Sequence, residues 1–245
     1  VGMVIEEGLP MEDLWRIVSS IKAAADEAGV VVATGDTKVV DRGKGDGIFI
    51  NTTGIGVLDD AVDIRPERAS AGDVVIASGT IADHGIAIMS VREGLEFETA
   101  LESDTASLNS LVDVILEAGG VDVHVLRDPT RGGVASATNE IAQSAGIGIK
   151  LREADIPTNP QGRAACEILG FDPLYVANEG KLLAIVAAES AQVVLEAMHG
   201  HPNGREAAII GEVVDDHHGR VFLRSSIGGN RVVDMISGEQ LPRIC

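Results

Sequence analysis

Short runs of aliphatic, often β-branched residues alternate with amphipathic helical patterns along the whole sequence. Strands and helices that alternate without the regular period of a barrel favour an α+β fold. Aromatic residues make up only 2% of the chain, so its core must be built from Val, Ile, Leu and Ala. At 245 residues, the chain is long enough to form two domains of ordinary size.

The N-terminal part of the sequence predicts a β-α-β-β-β arrangement. VGMVIEE is typical of a strand, and LPMEDLWRIVSSIKAAADEAG is typical of a helix that ends at Gly29. VVVAT predicts a buried strand, TKVVD another strand, RGKGDG a hairpin turn, and IFINTTGIGV a last strand. Because the chain opens with Val1 inside a strand pattern, we expect the N-terminal part of a longer protein to precede it.

The acidic, proline-containing stretch LDDAVDIRPERASAGD is the best candidate for a domain boundary. We predict an incomplete α/β domain at residues 1–64, an α+β domain at residues 65–236 and a mobile arm at residues 237–245. The second domain has predicted strands at DVVIASG, VHVLRD, LLAIVAA, AAIIGEVV, RVFLRS and RVVDMI. Its predicted helices lie after Asp83, at TASLNSLVDVILEAGG, at VASATNEIAQSAG, and at residues 160–169 and 190–199.

Charge and composition exclude several classes of function. A formal net charge of −19 argues against nucleic-acid binding, which depends on Lys and Arg neutralising phosphates. No apolar run reaches the roughly 18 residues of a membrane span, and the start does not resemble a signal peptide. Two cysteines are too few for a disulfide framework, so we expect a cytoplasmic protein.

The stretch TGDTKVV places polar residues between two very apolar segments. Asp36 could hold a hard cation such as Mg²⁺, and Lys38 could present a compact positive charge to a phosphate. Thr37 lies between them and joins them as a candidate for cofactor binding. The alternative interpretation is a Gly-Asp turn followed by a lysine on a solvated sheet face.

The stretch RDPTRGGVASATNE predicts a strand, a polar glycine-rich turn and the start of a helix. Free N–H groups and the dipole at a helix N-terminus bind anions. Asp128, Arg131, Gly132 and Gly133 are therefore candidates for binding a phosphate-bearing cofactor. An ordinary helix-capping turn is the alternative.

In YVANEGKLLAIV, Glu179 comes directly before a wholly apolar strand. A carboxylate that is partly desolvated there would have a raised pKa and could act as a base near neutral pH. The alternative is a surface turn. The sequence has no GxxxxGK[ST] loop, so any use of ATP would not involve that phosphate-binding loop.

The two cysteines lie in very different surroundings. Cys166 is flanked by aliphatic residues of a predicted helix and is expected to be a small buried hydrophobe. Cys245 is the last residue, so its thiol would be carried on the mobile arm and could reach the active site. The alternative is that Cys245 has no chemical role.

Several motifs together resemble one family of hydrogenase maturation factors: EEGLPME, TGDTKVV, FINTTGIG, DPTRGGV, ANEGKL, IGEVV and the terminal PRIC. This family is HypE, a group of carbamoyl dehydratases in the PurM-like superfamily, which includes AIR synthetase. The resemblance extends over the whole chain. It implies a two-domain PurM-like architecture whose N-terminal domain is incomplete here and is expected to bind ATP.

The resemblance also implies a reaction and its partners. A carbamoyltransferase, HypF, would load a carboxamide onto the thiol of Cys245. With ATP and Mg²⁺, the chain would then dehydrate the carboxamide to a thiocyanate, and the cyanide would pass to a HypC–HypD scaffold complex for [NiFe]-hydrogenase. Lys38 would contact the phosphoryl group and Asp36 the metal ion. Arg131 with its neighbouring glycines would support the anion, and Glu179 would be the base that takes the amide proton. A homodimer is also expected.

Two other functions remain open from the sequence. The chain could be another PurM-like ATP enzyme, such as a selenophosphate synthetase. It could also be a non-catalytic fragment that docks maturation partners through its tail.

Overall fold

The chain is divided into two compact units, Val1–Asp59 and Asp60–Cys245. They are seen in a computed structural model that describes residues 1–94 and 102–235. Both units mix helices and strands, in agreement with the predicted α+β class. The arm predicted at residues 237–245, including Cys245, lies outside the described residues.

The first unit is a small three-stranded sheet with one long helix. Its strands are ordered β2-β1-β3, with β2 parallel and β3 antiparallel to β1. A parallel pair needs a crossover connection, and the helix α1 supplies it between β1 and β2. The elements are β1 (Gly2–Glu6), α1 (Met11–Ala28), β2 (Asp36–Val40) and β3 (Ile48–Asn51).

Two predictions for this unit are wrong. VVVAT forms no strand, because β2 takes the place beside β1 and leaves this segment outside the sheet, with Val31 87% exposed. RGKGDG is not a hairpin turn, because β2 and β3 lie on opposite sides of β1 and do not pair with each other. The unit is therefore β-α-β-β, and its last strand ends at Asn51.

The RGKGDG segment is held by a carboxylate at the end of β1. Glu6 accepts hydrogen bonds from the backbone N–H groups of Gly43 at 2.7 Å and Gly45 at 3.2 Å. These bonds, led by the one from Gly43, hold the pKa of Glu6 below its ordinary value. Glu6 thus fixes the connection between the two outer strands.

Much of the apolar surface of the first unit is accessible to solvent. Ile5 is buried, but the apolar stripe that predicted α1 is at most half-buried. Val39 is 59% exposed and Phe49 is 54% exposed, although both lie in strands. Val4, which is 37% exposed, pairs with Phe49 across β1 and β3, so these two residues share one face of the sheet, and contiguous exposed apolar residues commonly mark an interaction surface.

The second unit is built on a larger sheet. The described residues form seven strands in the order β10-β9-β6-β8-β4-β7-β5, all antiparallel neighbours except the parallel pair β6 and β9. The strands are β4 (Val74–Ala77), β5 (Val123–Arg127), β6 (Gly148–Arg152), β7 (Leu183–Val186), β8 (Ala208–Val214), β9 (Val221–Arg224) and β10 (Asn230–Val233). The helices are α2 (Asp83–Glu93), α3 (Asn109–Gly119), α4 (Gly133–Ala145), α5 (Pro160–Leu169) and α6 (Ala191–His199).

This sheet is covered on both faces, which explains why its central strands are continuously apolar. In β7, Leu183 and Ile185 join the cluster that contains α4, whereas Ala184 and Val186 join the cluster of α3 and α6. Alternate residues of a strand point to opposite faces, so a strand covered on both sides needs apolar residues throughout.

A third, smaller cluster surrounds the cysteine of α5. Cys166 is 1% exposed and packs with Ala82, Ile86 and Val176, as predicted for a buried hydrophobe. Burial raises the pKa of its thiol to about 11.

Among the described residues, every helix is too short or too polar to span a membrane.

Candidate functional site

Three connecting segments of the second unit meet at one edge of its sheet. Ala77 of β4 and Arg127 of β5 both pair with Leu183, the first residue of β7. The segments that follow β4 and β5 and the segment that precedes β7 therefore lie side by side. They carry the start of α2, the DPTRGG motif and the ANEGK motif.

Asn178 joins these three segments. Its side chain is fully buried, and its Oδ1 accepts a hydrogen bond from the N–H of Ala82 at 2.8 Å. Its Nδ2 donates to the carbonyl oxygens of Pro129 at 2.9 Å and Val176 at 3.1 Å. A buried amide with this many partners fixes the backbone on either side of it.

Glu179 follows directly and is half-buried at this edge. Its Oε1 is buried and has no hydrogen-bond partner among the described residues. Burial raises the pKa of Glu179 above its ordinary value, while the nearby His84 opposes the rise and the charges of Asp104 and Asp128 add to it. The predicted rise in pKa is therefore found, and for the predicted reason.

Asp104 lies beneath the backbone of the Glu179 loop. Its side chain is only 4% exposed, and its Oδ1 accepts hydrogen bonds from the N–H groups of Glu179 at 3.1 Å and Gly180 at 3.4 Å. Its Oδ2 faces the Nζ of Lys181 at 3.6 Å. Sequence reasoning missed Asp104, because it is far from ANEGK in the chain.

The start of α2 contributes two more buried polar side chains. Asp83 accepts a hydrogen bond from the hydroxyl of Thr80, and burial raises the pKa of its carboxyl. His84 is 8% exposed, and its Nδ1 is 2.8 Å from the Oγ of Ser103. Neither residue was predicted to belong to a site, although an Asp-His pair that interrupts an apolar stretch was a usable signal.

The DPTRGG motif has a packing role that the structure makes plain. Asp128 pairs with the guanidinium of Arg127, and Arg131 is exposed. Gly133 begins α4 at a φ of +60°, and a Cβ there would lie 2.4 Å from the carbonyl oxygen of Leu174. The second glycine is therefore required for close packing, whereas anion binding by this turn stays a prediction.

This close approach gives a stability prediction. Gly133→Ala is expected to lower the free energy of unfolding by about 2–5 kcal/mol, because a left-handed alanine is strained and its methyl group would meet two carbonyl oxygens. Gly146→Ala, at the other end of α4, is the matched control. Its φ is +67° but no atom lies within 4 Å of the added methyl, so it should cost only about 1–2 kcal/mol.

Urea unfolding of both variants measures the difference. Equal costs at Gly133 and Gly146 would contradict the packing role of the second glycine.

The candidates in the first unit lie in a strand. Asp36 and Lys38 are two residues apart in β2, so their side chains share one face of the sheet, and both are exposed. Oδ1 of Asp36 accepts a hydrogen bond from the N–H of Thr37 at 2.9 Å. Lys38 lies opposite Val4 of β1. The lysine is therefore part of a regular strand on an accessible sheet face.

Metal binding was predicted at Asp36. Within residues 1–94 and 102–235, no three His, Cys, Asp or Glu side chains are grouped as a metal site. Mg²⁺ is commonly bound through one or two carboxylates together with substrate phosphates and water. The exposed carboxylate of Asp36 fits such a site as a single protein ligand.

Comparison with known proteins identifies the class. Residues 1–58 match the model of the AIR synthase related protein N-terminal domain, and residues 70–224 match that of its C-terminal domain. The chain is an AIR synthase-related protein. It is 56% identical over 244 residues to carbamoyl dehydratase HypE of Rhizobium leguminosarum bv. viciae, covering 100% of this chain and 70% of that protein. The chain belongs to the HypE family of carbamoyl dehydratases, which act in hydrogenase maturation.

Solved structures agree with this assignment. A crystal structure of HypE in complex with ATP is 46% identical in sequence and has a TM-score of 0.94. The match covers 100% of this chain and 74% of the chain in that structure. A crystal structure of a HypE–HypF complex is 47% identical in sequence and has a TM-score of 0.92. The match covers 96% of this chain and 76% of the chain in that structure. The resemblance of the motifs and the PurM-like fold are thus confirmed.

Proposed function

We propose that the chain uses ATP to dehydrate an S-carboxamide on its own Cys245 to a thiocyanate, a source of cyanide for [NiFe]-hydrogenase. The observation that carries this proposal is the carboxylate of Glu179, whose pKa is raised by burial and whose Oε1 has no hydrogen-bond partner among the described residues. Such a group is suited to take a proton near neutral pH. A base is what dehydration of an amide requires.

The chemistry balances in two steps. The carboxamide oxygen attacks the γ-phosphorus of ATP, ADP leaves, and one proton is lost from nitrogen to give an O-phosphorylated imidate. The remaining N–H proton then passes to Glu179, the C–O bond breaks, and inorganic phosphate leaves as the C≡N bond forms. The sum is conversion of R–S–C(O)NH₂ and ATP into R–S–CN, ADP and phosphate.

Binding of ATP is supported by the ATP complex of a HypE relative. We assign Lys38 to the transferring phosphoryl group, because a compact ammonium stabilises the charge that develops there. Asp36 would hold Mg²⁺, which neutralises phosphate charge when bound, and Thr37 would line the same site. Asp128, Arg131, Gly132 and Gly133 remain candidates for binding an anion.

The proposed partners follow from the same family. Binding to the carbamoyltransferase HypF is supported by the solved HypE–HypF complex, and transfer of cyanide to HypC–HypD is proposed by resemblance. A homodimer is supported by the exposed Val4 and Phe49, which pair across β1 and β3 on one face of the first sheet and would lose contact with water when two such faces pair. The proposed location is the cytoplasm.

Mass spectrometry of the intact chain tests the reaction. Protein carrying the carboxamide on Cys245, incubated with Mg-ATP, should lose the mass of one water and release one phosphate. A chain that only docks maturation partners through its tail would keep its mass. Selenophosphate formation would contradict the proposal in favour of the other enzyme.

Lys38→Ala should block the loss of water without unfolding the chain, because Lys38 is exposed in β2 and packs little. We expect the rate to fall by about 10²–10³-fold, the range for removal of one charge-stabilising group. Lys22→Ala, an exposed lysine of α1 paired with Asp26, is the control and should react at the wild-type rate. Equal rates for Lys38→Ala and wild type would remove Lys38 from the mechanism.

A further inference from the structure

We propose that Asp104 is a positioning residue for Glu179, holding the backbone of its loop so that the carboxylate faces the substrate. This inference rests on the proposed function, in which Glu179 is the base. It adds a residue that neither the motifs nor the family match brought forward.

The hydrogen bonds of Asp104 fix the backbone of the loop at Glu179 and Gly180. One carboxylate oxygen accepts the N–H groups of both Glu179 and Gly180, at 3.1 and 3.4 Å. The contact is close, since a Cβ at Gly180 would lie 1.7 Å from the carbonyl oxygen of Asp104. Asn178, the residue before Glu179, ties the same loop to Ala82 and Pro129. The base is thus anchored at adjacent residues, while its own Oε1 keeps no partner among the described residues.

The position is occupied by an acid, although an amide could accept the same hydrogen bonds. A buried carboxylate is costly unless its charge is balanced. The Nζ of Lys181 lies 3.6 Å from Oδ2 of Asp104, but Oδ2 has no hydrogen bond within the described chain, so Lys181 balances the charge only partly. The negative charge therefore acts on its neighbours. Burial is the main cause of the raised pKa of Glu179; His84 opposes the rise, and the charges of Asp104 and Asp128 add to it.

Other charged groups surround Asp104, and Arg205 and Glu206 line the same pocket as Asp104 and Lys181. Asp83, at the start of α2, interacts electrostatically with both Asp104 and Lys181, and Glu206 interacts with Asp83. The cluster therefore contains more acids than bases within reach of the loop. Removing one negative charge from it should make every remaining carboxylate easier to ionise.

Two substitutions separate the hydrogen bonds from the charge. Asp104→Asn keeps an oxygen that can accept from Glu179 and Gly180 but removes the charge. Asp104→Ala removes both. Asp122→Asn is the matched control: Asp122 lies before the first residue of β5, at the end of the strand remote from Asp128, and its carboxylate accepts a hydrogen bond from Ser190.

The readouts are the single-turnover rate of thiocyanate formation against pH and the KM for ATP. In Asp104→Asn, we expect the acid limb of the rate profile to move to lower pH, because Glu179 loses a like-charged neighbour. In Asp104→Ala, we expect a rate loss of about 10²-fold with little change in KM, because the base is misplaced. Asp122→Asn should match the wild type in both.

A titration of Glu179 keeps this test separate from the proposed function. Infrared difference spectra of the full chain, with Glu179→Gln as the blank, report the ionisation of that carboxyl without any turnover. An acid limb and a titration midpoint that do not move in Asp104→Asn would overturn the role of its charge. A rate in Asp104→Ala equal to wild type would overturn positioning. If wild-type protein forms no thiocyanate but the midpoint still moves, the proposed reaction fails while the coupling stands.

Discussion

Glu179→Gln is expected to slow thiocyanate formation by about 10²–10⁴-fold, the contribution typical of a positioned base. The amide keeps the shape of the side chain but cannot take a proton from nitrogen. Because Asn178 and Asp104 hold the loop through groups that the substitution leaves intact, the backbone should not move. Phosphorylation of the carboxamide oxygen comes before the last proton transfer, so ADP could still appear in the first turnover.

Glu117→Gln, on the exposed side of α3, is the matched control and should react at the wild-type rate. Intact mass over time and a phosphate assay measure both variants. An undiminished rate in Glu179→Gln would show that another group takes the proton.

Glu179→Gln should lower activity, but it should not lower the stability of the fold. The pKa of Glu179 is higher in the folded chain than in the unfolded chain, so folding is favoured while the group is protonated. That contribution is present below the unfolded pKa and is lost as the pH rises through the folded pKa. At neutral pH the ionised carboxylate therefore destabilises the fold, and Glu179→Gln should have an equal or higher Tm than wild type. Its activity should be low at every pH, whereas wild-type activity rises through the raised pKa of Glu179.

Cys245→Ser is expected to abolish acceptance of the carboxamide by the chain. A hydroxyl has almost no anionic form near neutral pH and is a far weaker nucleophile than a thiolate. No carboxamide would be attached, so neither the mass of the carboxamide nor the later loss of water should be seen with the partner carbamoyltransferase and ATP. This is the largest effect we expect from any single substitution.

Cys166→Ala is the control for that experiment. It removes the other thiol, which is buried in the cluster at α5, and should leave acceptance of the carboxamide intact. Acceptance by Cys245→Ser, or its loss in Cys166→Ala with the fold preserved, would mean that the terminal thiol is not the acceptor.

The sequence predicted most of the individual helices and strands but not how the strands pair. Residues 160–169 were predicted as a helix and are α5, since Asn159, Pro160 and Gly170 mark its ends clearly. The strand β6 was missed because it is short and contains Lys150 and Arg152. The positions of β2 and β3 beside β1 depend on contacts far apart in the chain, which no local pattern records.

The residues of the candidate site were also predicted only in part. Glu179 was found because a carboxylate before an apolar strand has a physical consequence that can be inferred from the sequence alone. Asp104 and His84 were not found, because they reach Glu179 only when separate segments meet at the edge of the sheet. Tertiary structure, not local propensity, brings these groups together.

The deep burial of Cys166 has a practical consequence for the chemistry of the whole chain. With a thiol pKa of about 11, only about one molecule in 10⁴ would carry its thiolate at pH 7 even if solvent could reach it. Electrophilic reagents and acyl donors should therefore pass this sulfur by. Of the two cysteines in the sequence, Cys245 is therefore the one expected to react, so a thiol-specific reagent that adds one mass to the intact protein should be attached there.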